Sequence, residues 1–265
     1  YKKDTTSELF GALGLFSKII LQKKQGNTEH LLTPKLLLRY APGSMRIEEN
    51  GSRLTPSSAF DLNRLNNINN FETGLSGTLG FDYKTTSNEK EFDFSLAQVI
   101  QESENNKMPD KSSLNEKTSD LVGSANIKLS KNFSLNYEFA LDQNYQDLNF
   151  NEFGTNINFG PIDFDFNYLQ EKKHIGNQDY FNTKINIKNT DQGMFSFETK
   201  RNLITDSSEF YNLSYEYIND CLRAGLVYRR EFYNDSELEP ENSLMFKITL
   251  TPFGSINSPT FGKWK

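Results

Sequence analysis

Cysteine, histidine and tryptophan are nearly missing from this chain: 265 residues hold one Cys, two His and one Trp. A single thiol, Cys221, excludes an internal disulfide, so the thiol is either free or paired outside this stretch of sequence. His30 and His174 stand far apart without a cluster of cysteines or carboxylates beside them, so a zinc site of ordinary ligand spacing is lacking. No G-x-S-x-G elbow anchors a serine nucleophile. Gly11 and Gly14 in Phe10-Gly-Ala-Leu-Gly-Leu15 do not open a helix, and read as small residues in a strand instead of a phosphate loop. No run of 18 apolar residues is present, which excludes a membrane-crossing helix. Basic excess is lacking too, since 29 Lys and Arg face 35 Asp and Glu for a net charge of -6, and no nucleic-acid partner is expected. The chain opens on Tyr1-Lys2-Lys3, without an initiator Met or the succession of a signal peptide, and is expected to start inside a longer protein.

What the chain does have is aromatics. Phe 22 and Tyr 12, with alanine scarce and Asn, Ser, Asp and Lys supplying the polarity, is a composition for strands with polar faces. Phe133, Leu135, Tyr137, Phe139 and Leu141 share one side of an extended chain, and Ser134, Asn136, Glu138 and Asp142 share the other. Tyr211, Leu213, Tyr215 and Tyr217 alternate in the same way with Asn212, Ser214 and Glu216. This period of two predicts thirteen strands: 10 to 22, 31 to 40, 72 to 83, 91 to 100, 120 to 130, 133 to 142, 149 to 160, 162 to 171, 180 to 188, 193 to 203, 208 to 218, 222 to 232 and 242 to 251.

Alternation by itself also suits a sandwich with one wet face. Strand length separates the two, because sandwich strands run to about five or six residues and membrane-crossing ones need roughly 9 to 11. Gap lengths add an independent argument. Alternate gaps, led by 41 to 71 and 101 to 119, hold about three times as much chain as the intervening ones, the asymmetry of outer-membrane barrels with long outer loops and short periplasmic turns. The expected fold is therefore all-β, an antiparallel up-and-down transmembrane β-barrel. The intervening short gaps, among them 219 to 221 with Cys221, are expected to be periplasmic, and so is the tail 252 to 265. Bacterial single-chain barrels have even strand numbers, so thirteen strands predict further strands on a longer chain.

Two stretches carry a resemblance. His30-Leu-Leu-Thr-Pro-Lys-Leu-Leu-Leu-Arg-Tyr-Ala-Pro-Gly43 with Phe60-Asp-Leu-Asn-Arg-Leu-Asn-Asn-Ile-Asn-Asn-Phe-Glu-Thr-Gly-Leu75, and Asn219-Asp-Cys-Leu-Arg-Ala-Gly-Leu-Val-Tyr-Arg-Arg-Glu231 with Leu244-Met-Phe-Lys-Ile-Thr-Leu-Thr-Pro-Phe-Gly254, resemble the barrel of the LptD (OstA) family of lipopolysaccharide-assembly proteins. The resemblance implies that residues 1 to 265 are the C-terminal part of a barrel of 26 strands, near the top of the usual range. It implies no cofactor and no catalysis. It implies lipopolysaccharide as cargo, an LptE-like plug lipoprotein in the lumen, an LptA-like periplasmic bridge, a place in the cell outer membrane, and a lateral gate between first and last strands. The gate strand would be 242 to 251, with Leu244, Phe246, Ile248 and Leu250 on its apolar face, and Cys221 would pair with a cysteine in the N-terminal region. Family members often have two adjacent cysteines there; Asp220-Cys221 leaves one disulfide at most.

The alternatives are a general diffusion porin and a soluble secreted β-module. Asp142, Asp163, Asp165, Lys184, Lys188, Arg223 and Arg229 read as the wall of a water-filled lumen. The long gap 41 to 71, with Arg46, Arg53 and Arg64, is expected to fold into the barrel mouth as a cap. Asn132-Phe-Ser134 and Asn212-Leu-Ser214 match the glycosylation pattern but fall at or in strands, and carry no function.

Overall fold

Side chains that alternate between apolar and polar every second residue can satisfy both a wet and a dry side only in extended chain, and the backbone follows. The computed structural model describes residues 10–49, 51–65, 67, 69–172, 176–189, 191–232, 241–250 and 254–257. Its strands are β1 (Leu13–Lys18), β2 (Leu21–Gln25), β3 (Thr28–Ala41), β4 (Gly74–Ser87), β5 (Lys90–Gln101), β6 (Leu121–Ser130), β7 (Phe133–Leu141), β8 (Leu148–Phe159), β9 (Ile162–Glu171), β10 (Gln178–Lys188), β11 (Gly193–Asn202), β12 (Ser207–Ile218), β13 (Leu222–Glu231), β14 (Glu241–Leu250) and β15 (Gly254–Asn257). Two single 3-10 turns, Ser58–Phe60 and Asp110–Ser112, are the only helical pieces among the described residues. Hydrogen-bonded neighbours follow chain order from β3 to β15, with β1 and β2 both paired to β3, so the all-β, antiparallel up-and-down class holds.

Two differences from the expected thirteen strands have local causes. The strand expected at 10 to 22 is divided into β1 and β2 around Ile19, whose N–H donates to the Pro34 carbonyl at 3.2 Å. Proline has no N–H to return the bond, so the ladder is interrupted, while the pairs Lys18↔Lys35 and Leu21↔Leu32 keep one register. β2 then runs on to Gln25 and turns through Gly26, at φ 59, directly into β3, where a gap of eight residues was expected. The second difference is β15, antiparallel to the end of β14 with Ile248↔Ile256, inside what was expected to be a periplasmic tail. Residues 252, 253 and 258 to 265 of that tail, residue 251 of the last expected strand, and His174 lie outside the described residues.

The chain divides into two units. Unit 1 comprises Tyr1–Ile127, Tyr137–Asn151 and Glu171–Gly176; unit 2 comprises Lys128–Asn136, Glu152–Gln170 and Asn177–Lys265. Among the described residues, every buried apolar side chain belongs to unit 1, including Leu37, Leu54, Val99, Leu114 and Phe150. Among its described residues, unit 2 carries no such core. On β10 to β14 the row Ile187, Phe195, Tyr215, Leu226, Phe246 occupies one face and the row Lys184, Glu198, Asn212, Arg229, Ser243 the other. Phe195, Leu213, Leu226 and Phe246 remain 43 to 52% exposed. A continuous apolar face with no covering layer in its own chain is what lipid contact requires of a barrel wall.

Candidate functional site

The site is built on the polar side of β3, β4 and β5 in unit 1. Registers Leu36↔Leu79 and Leu38↔Gly77 set exposed aliphatics on one face, while Leu37↔Thr78, Arg39↔Ser76 and Thr78↔Val99 set the other. That second face is covered. The described residues between 42 and 73 fold back over it, and Met45, Leu54, Ala59 and Leu65 are buried, as are Leu37, Ala97 and Val99 on the strands. Thr78 Oγ1 donates to the Ala59 carbonyl at 3.0 Å, and Lys35 Nζ lies 4.8 Å from the Phe60 ring while pairing with Asp82 at 2.7 Å. Gly80 is required beneath this contact, because a Cβ there would overlap the Leu96 carbonyl and press on the Phe60 ring and Ala97. At Gly14 a Cβ would meet only the ends of the Leu62 and Leu37 side chains, of which the nearer, Leu62, is exposed and can move aside.

An ionic cluster fixes the cover at its centre. Arg39 donates through Nε to the Leu62 carbonyl at 2.7 Å and through Nη2 to the Glu72 carbonyl. Arg64 donates through Nε to Glu72 Oε2 at 2.7 Å, and through Nη2 to Glu72 Oε1 and to Ser76 Oγ, the latter at 2.9 Å. Arg39 Nη1 lies 3.6 Å from Glu72 Oε1, and all three side chains are 1% exposed. Two guanidinium groups therefore share one carboxylate. Neither Arg39 Nη1 nor Arg64 Nη1 has a hydrogen-bond partner, although the Phe71 ring stands 5.6 Å from the Arg39 guanidinium. Such a cluster holds a segment in one place because removing the shared carboxylate strands two buried positive charges.

The second loop, 102 to 120, joins the first. The Glu48 N–H donates to the Lys107 carbonyl at 2.9 Å, Gln101 Nε2 donates to the Leu114 carbonyl at 2.5 Å, and Leu114 is wholly buried. Arg53, in the middle of the first loop, anchors it as well, its guanidinium 3.1 Å from the Phe150 ring centroid and 3.2 Å from Glu171 Oε1. The loop expected to fold into the barrel mouth as a cap lies on one face of β3 to β5 as a packed layer with its own core. Arg64 and Arg53 act in it through side chains, and Asn70 brackets the Arg46 backbone. The sequence reading missed Arg39 and Glu72. The signal was there for Arg39, a charge sharing a face with Leu37 in the run Leu36-Leu-Leu-Arg39.

The remaining expected residues fall elsewhere and are not brought together. Cys221 is a free, exposed thiol in the turn from β12 to β13, with its N–H donating to Asn219 Oδ1 at 3.0 Å. Leu244, Phe246, Ile248 and Leu250 share one face of β14, and β15 pairs with that strand from Lys247 to Leu250, so β14 is not the outermost strand there. Asp163 and Asp165 accept from Asn158 and Asn156, Arg223 binds Glu216, Arg229 binds Glu231, and Asp142 accepts from Asn149 at 3.3 Å in its turn. No group of three potential metal ligands occurs among the described residues.

Comparison with solved structures gives similarity to porins at low identity. Two engineered variants of the Rh. blastica porin are 10% identical, each covering 93% of this chain and 83% of their own, with TM-scores of 0.41 and 0.42. A triple mutant of the Rhodopseudomonas blastica porin is 12% identical over 92% of this chain and 87% of its own, with a TM-score of 0.37. No curated protein matches the chain. The profile of the family described as LPS transport system D, LptD, matches residues 19–203, which takes in β3 to β5, both covering loops and the strands through β11. By that match the chain belongs to the LptD family, a transport family that handles lipopolysaccharide in the setting of the Gram-negative outer membrane.

Proposed function

We propose that this chain is part of a translocon that carries lipopolysaccharide to the outer leaflet of the Gram-negative outer membrane without chemically altering it. The observation that carries the proposal is the family match over residues 19–203. The strand faces support it: an amphiphile needs a wet path for its saccharide and a dry one for its acyl chains, and the two faces of β10 to β14 are of those two kinds. The layer over β3 to β5 weighs against a freely diffusive porin, because it fills the face such a pore needs open.

In the full reading, residues 1 to 265 are the C-terminal part of a larger barrel, with an LptE-like plug and an LptA-like bridge as partners. The apolar face of β14, Leu244, Phe246, Ile248 and Leu250, forms one side of a seam for acyl chains, with β15 beside it. Cys221, exposed in its turn, pairs with a cysteine of the N-terminal region. Depletion of the full-length protein followed by assay of surface lipopolysaccharide tests the transport reading. Loss of newly made lipopolysaccharide from the surface is expected; unchanged delivery would refute it.

A further inference from the structure

Charge is sorted unevenly between the two faces of β2 to β5 at their short-turn end. Every carboxylate these strands carry, on Glu29, Asp82, Glu91 and Asp93, falls on the face opposite Leu36 and Leu79. There Lys35 pairs with Asp82 at 2.7 Å, Lys84 with Asp93 at 3.4 Å and Lys24 with Glu29 at 4.0 Å. The face of Leu36 and Leu79 carries Lys23, in register with His30, and Lys90, in register with Ser87. Both lysines are exposed, and neither has an ion pair or hydrogen bond among the described residues. With Glu89 in the turn counted against the two lysines, this rim keeps a single positive charge.

The same face changes character in a fixed order toward that rim. Leu36, Leu79 and Leu96, with Ile19 and Pro34, line an open cavity of about 530 Å3. Aromatic rings follow: Phe81 packs on Phe94 and Tyr83 on Phe92, with centroids 5.8 and 6.1 Å apart. Polar groups come next. His30 stacks on Tyr83, its Nδ1 2.9 Å from the Tyr83 hydroxyl and 3.1 Å from Thr85 Oγ1. Thr28 Oγ1 donates to Ser87 Oγ at 3.0 Å, which leaves the Ser87 proton free for a ligand. Lys23 and Lys90 flank these groups on either side. Aliphatic, aromatic, hydroxyl and cation succeed one another as acyl chain, interface and phosphate do in a membrane lipid. From Leu79 to Ser87 the strand covers about 27 Å, a depth of about 19 Å at a tilt of about 45°, close to the thickness of one leaflet.

We propose that this face of β2 to β5 binds one anionic phospholipid of the leaflet on the short-turn side. Lys23, Lys90 and Ser87 hold its phosphate, and the aliphatic cavity takes an acyl chain. A phosphodiester brings one negative charge, which the excess of the rim balances, whereas a head group that adds an ammonium brings a charge the lysines repel. The site lies on the face away from the covering loops, goes beyond the transport reading, and needs only that this face meets lipid. The test takes the full-length protein in dodecyl maltoside micelles, adds phosphatidylglycerol and phosphatidylcholine in equal amounts, and counts retained lipids by native mass spectrometry. Retention of phosphatidylglycerol in preference to phosphatidylcholine is expected. Lys23→Gln with Lys90→Gln should weaken phosphatidylglycerol retention about tenfold, while Lys24→Gln, on the opposite face of β2, should stay within about twofold. Excess inorganic phosphate should leave retention unchanged, because it brings no acyl chain. Equal retention of both lipids by the wild type, unchanged retention in the double variant, an equal loss in Lys24→Gln, or displacement by inorganic phosphate overturns the proposal. Any of these leaves the transport reading standing, and the depletion assay bears on that reading alone.

Discussion

At the scale of single residues, the Arg39, Arg64 and Glu72 cluster dominates, because it concentrates three charges where no solvent reaches. Its net charge is positive, which orders the consequences of substitution. Glu72→Gln leaves two guanidinium groups without a counter-ion and is expected to cost about 3 to 5 kcal/mol. Arg64→Met leaves the neutral pair of Arg39 and Glu72 and should cost clearly less, despite the lost bond to Ser76. Urea midpoints of the two refolded full-length variants check the ordering; equal losses would mean that the carboxylate is not the hub. Alternation told which face Arg39 occupies, but not that Glu72, outside any strand, would fold over it.

Elements answer to simpler rules. Leu213 sits mid-strand on the exposed apolar face of β12 and Ser214 on the opposite face. Leu213→Arg should therefore lower the free energy of folding into lipid vesicles by about 2 to 4 kcal/mol, while Ser214→Arg should change it little, since only one face meets hydrocarbon. Similar losses at both positions would contradict the facing. The covering loops behave as an element too. Removing 44 to 68 takes away Leu54, Ala59, Arg64 and Leu65 from the layer, and cells carrying that deletion are expected to admit large antibiotics excluded by the wild type. Unchanged uptake would show that the layer closes nothing. Strand positions were legible because period two is a local signal. The break at Ile19 was not, because its cause, Pro34, lies on the neighbouring strand.

For the whole molecule, the serial antiparallel order ties each strand from β2 onward to the next, and the long connections fall on alternate turns. That places Cys221 among the short turns, exposed to whatever compartment they face. Mass mapping of the full-length protein without reductant should find Cys221 in a disulfide to an N-terminal cysteine; recovery only as a free thiol would remove that link from the proposed assembly. Its turn is tied by Asn219, which accepts from the N–H groups of Cys221 and Leu222, so Cys221→Ser should leave the turn intact while abolishing the link.

Sequence by itself determined the class, the strands to within a few residues apart from the division of β1 from β2 and the presence of β15, the two faces of each and the family, since all of these depend on neighbours along the chain or on short ordered motifs. Tertiary structure alone decided what covers β3 to β5, which acid holds Arg39 and Arg64, and that Lys23 and Lys90 fall on the same face. These depend on partners eight to more than a hundred residues away, as with Arg64 and Glu72 or Arg53 and Glu171, and a pattern of period two carries no information about which loop returns to which face.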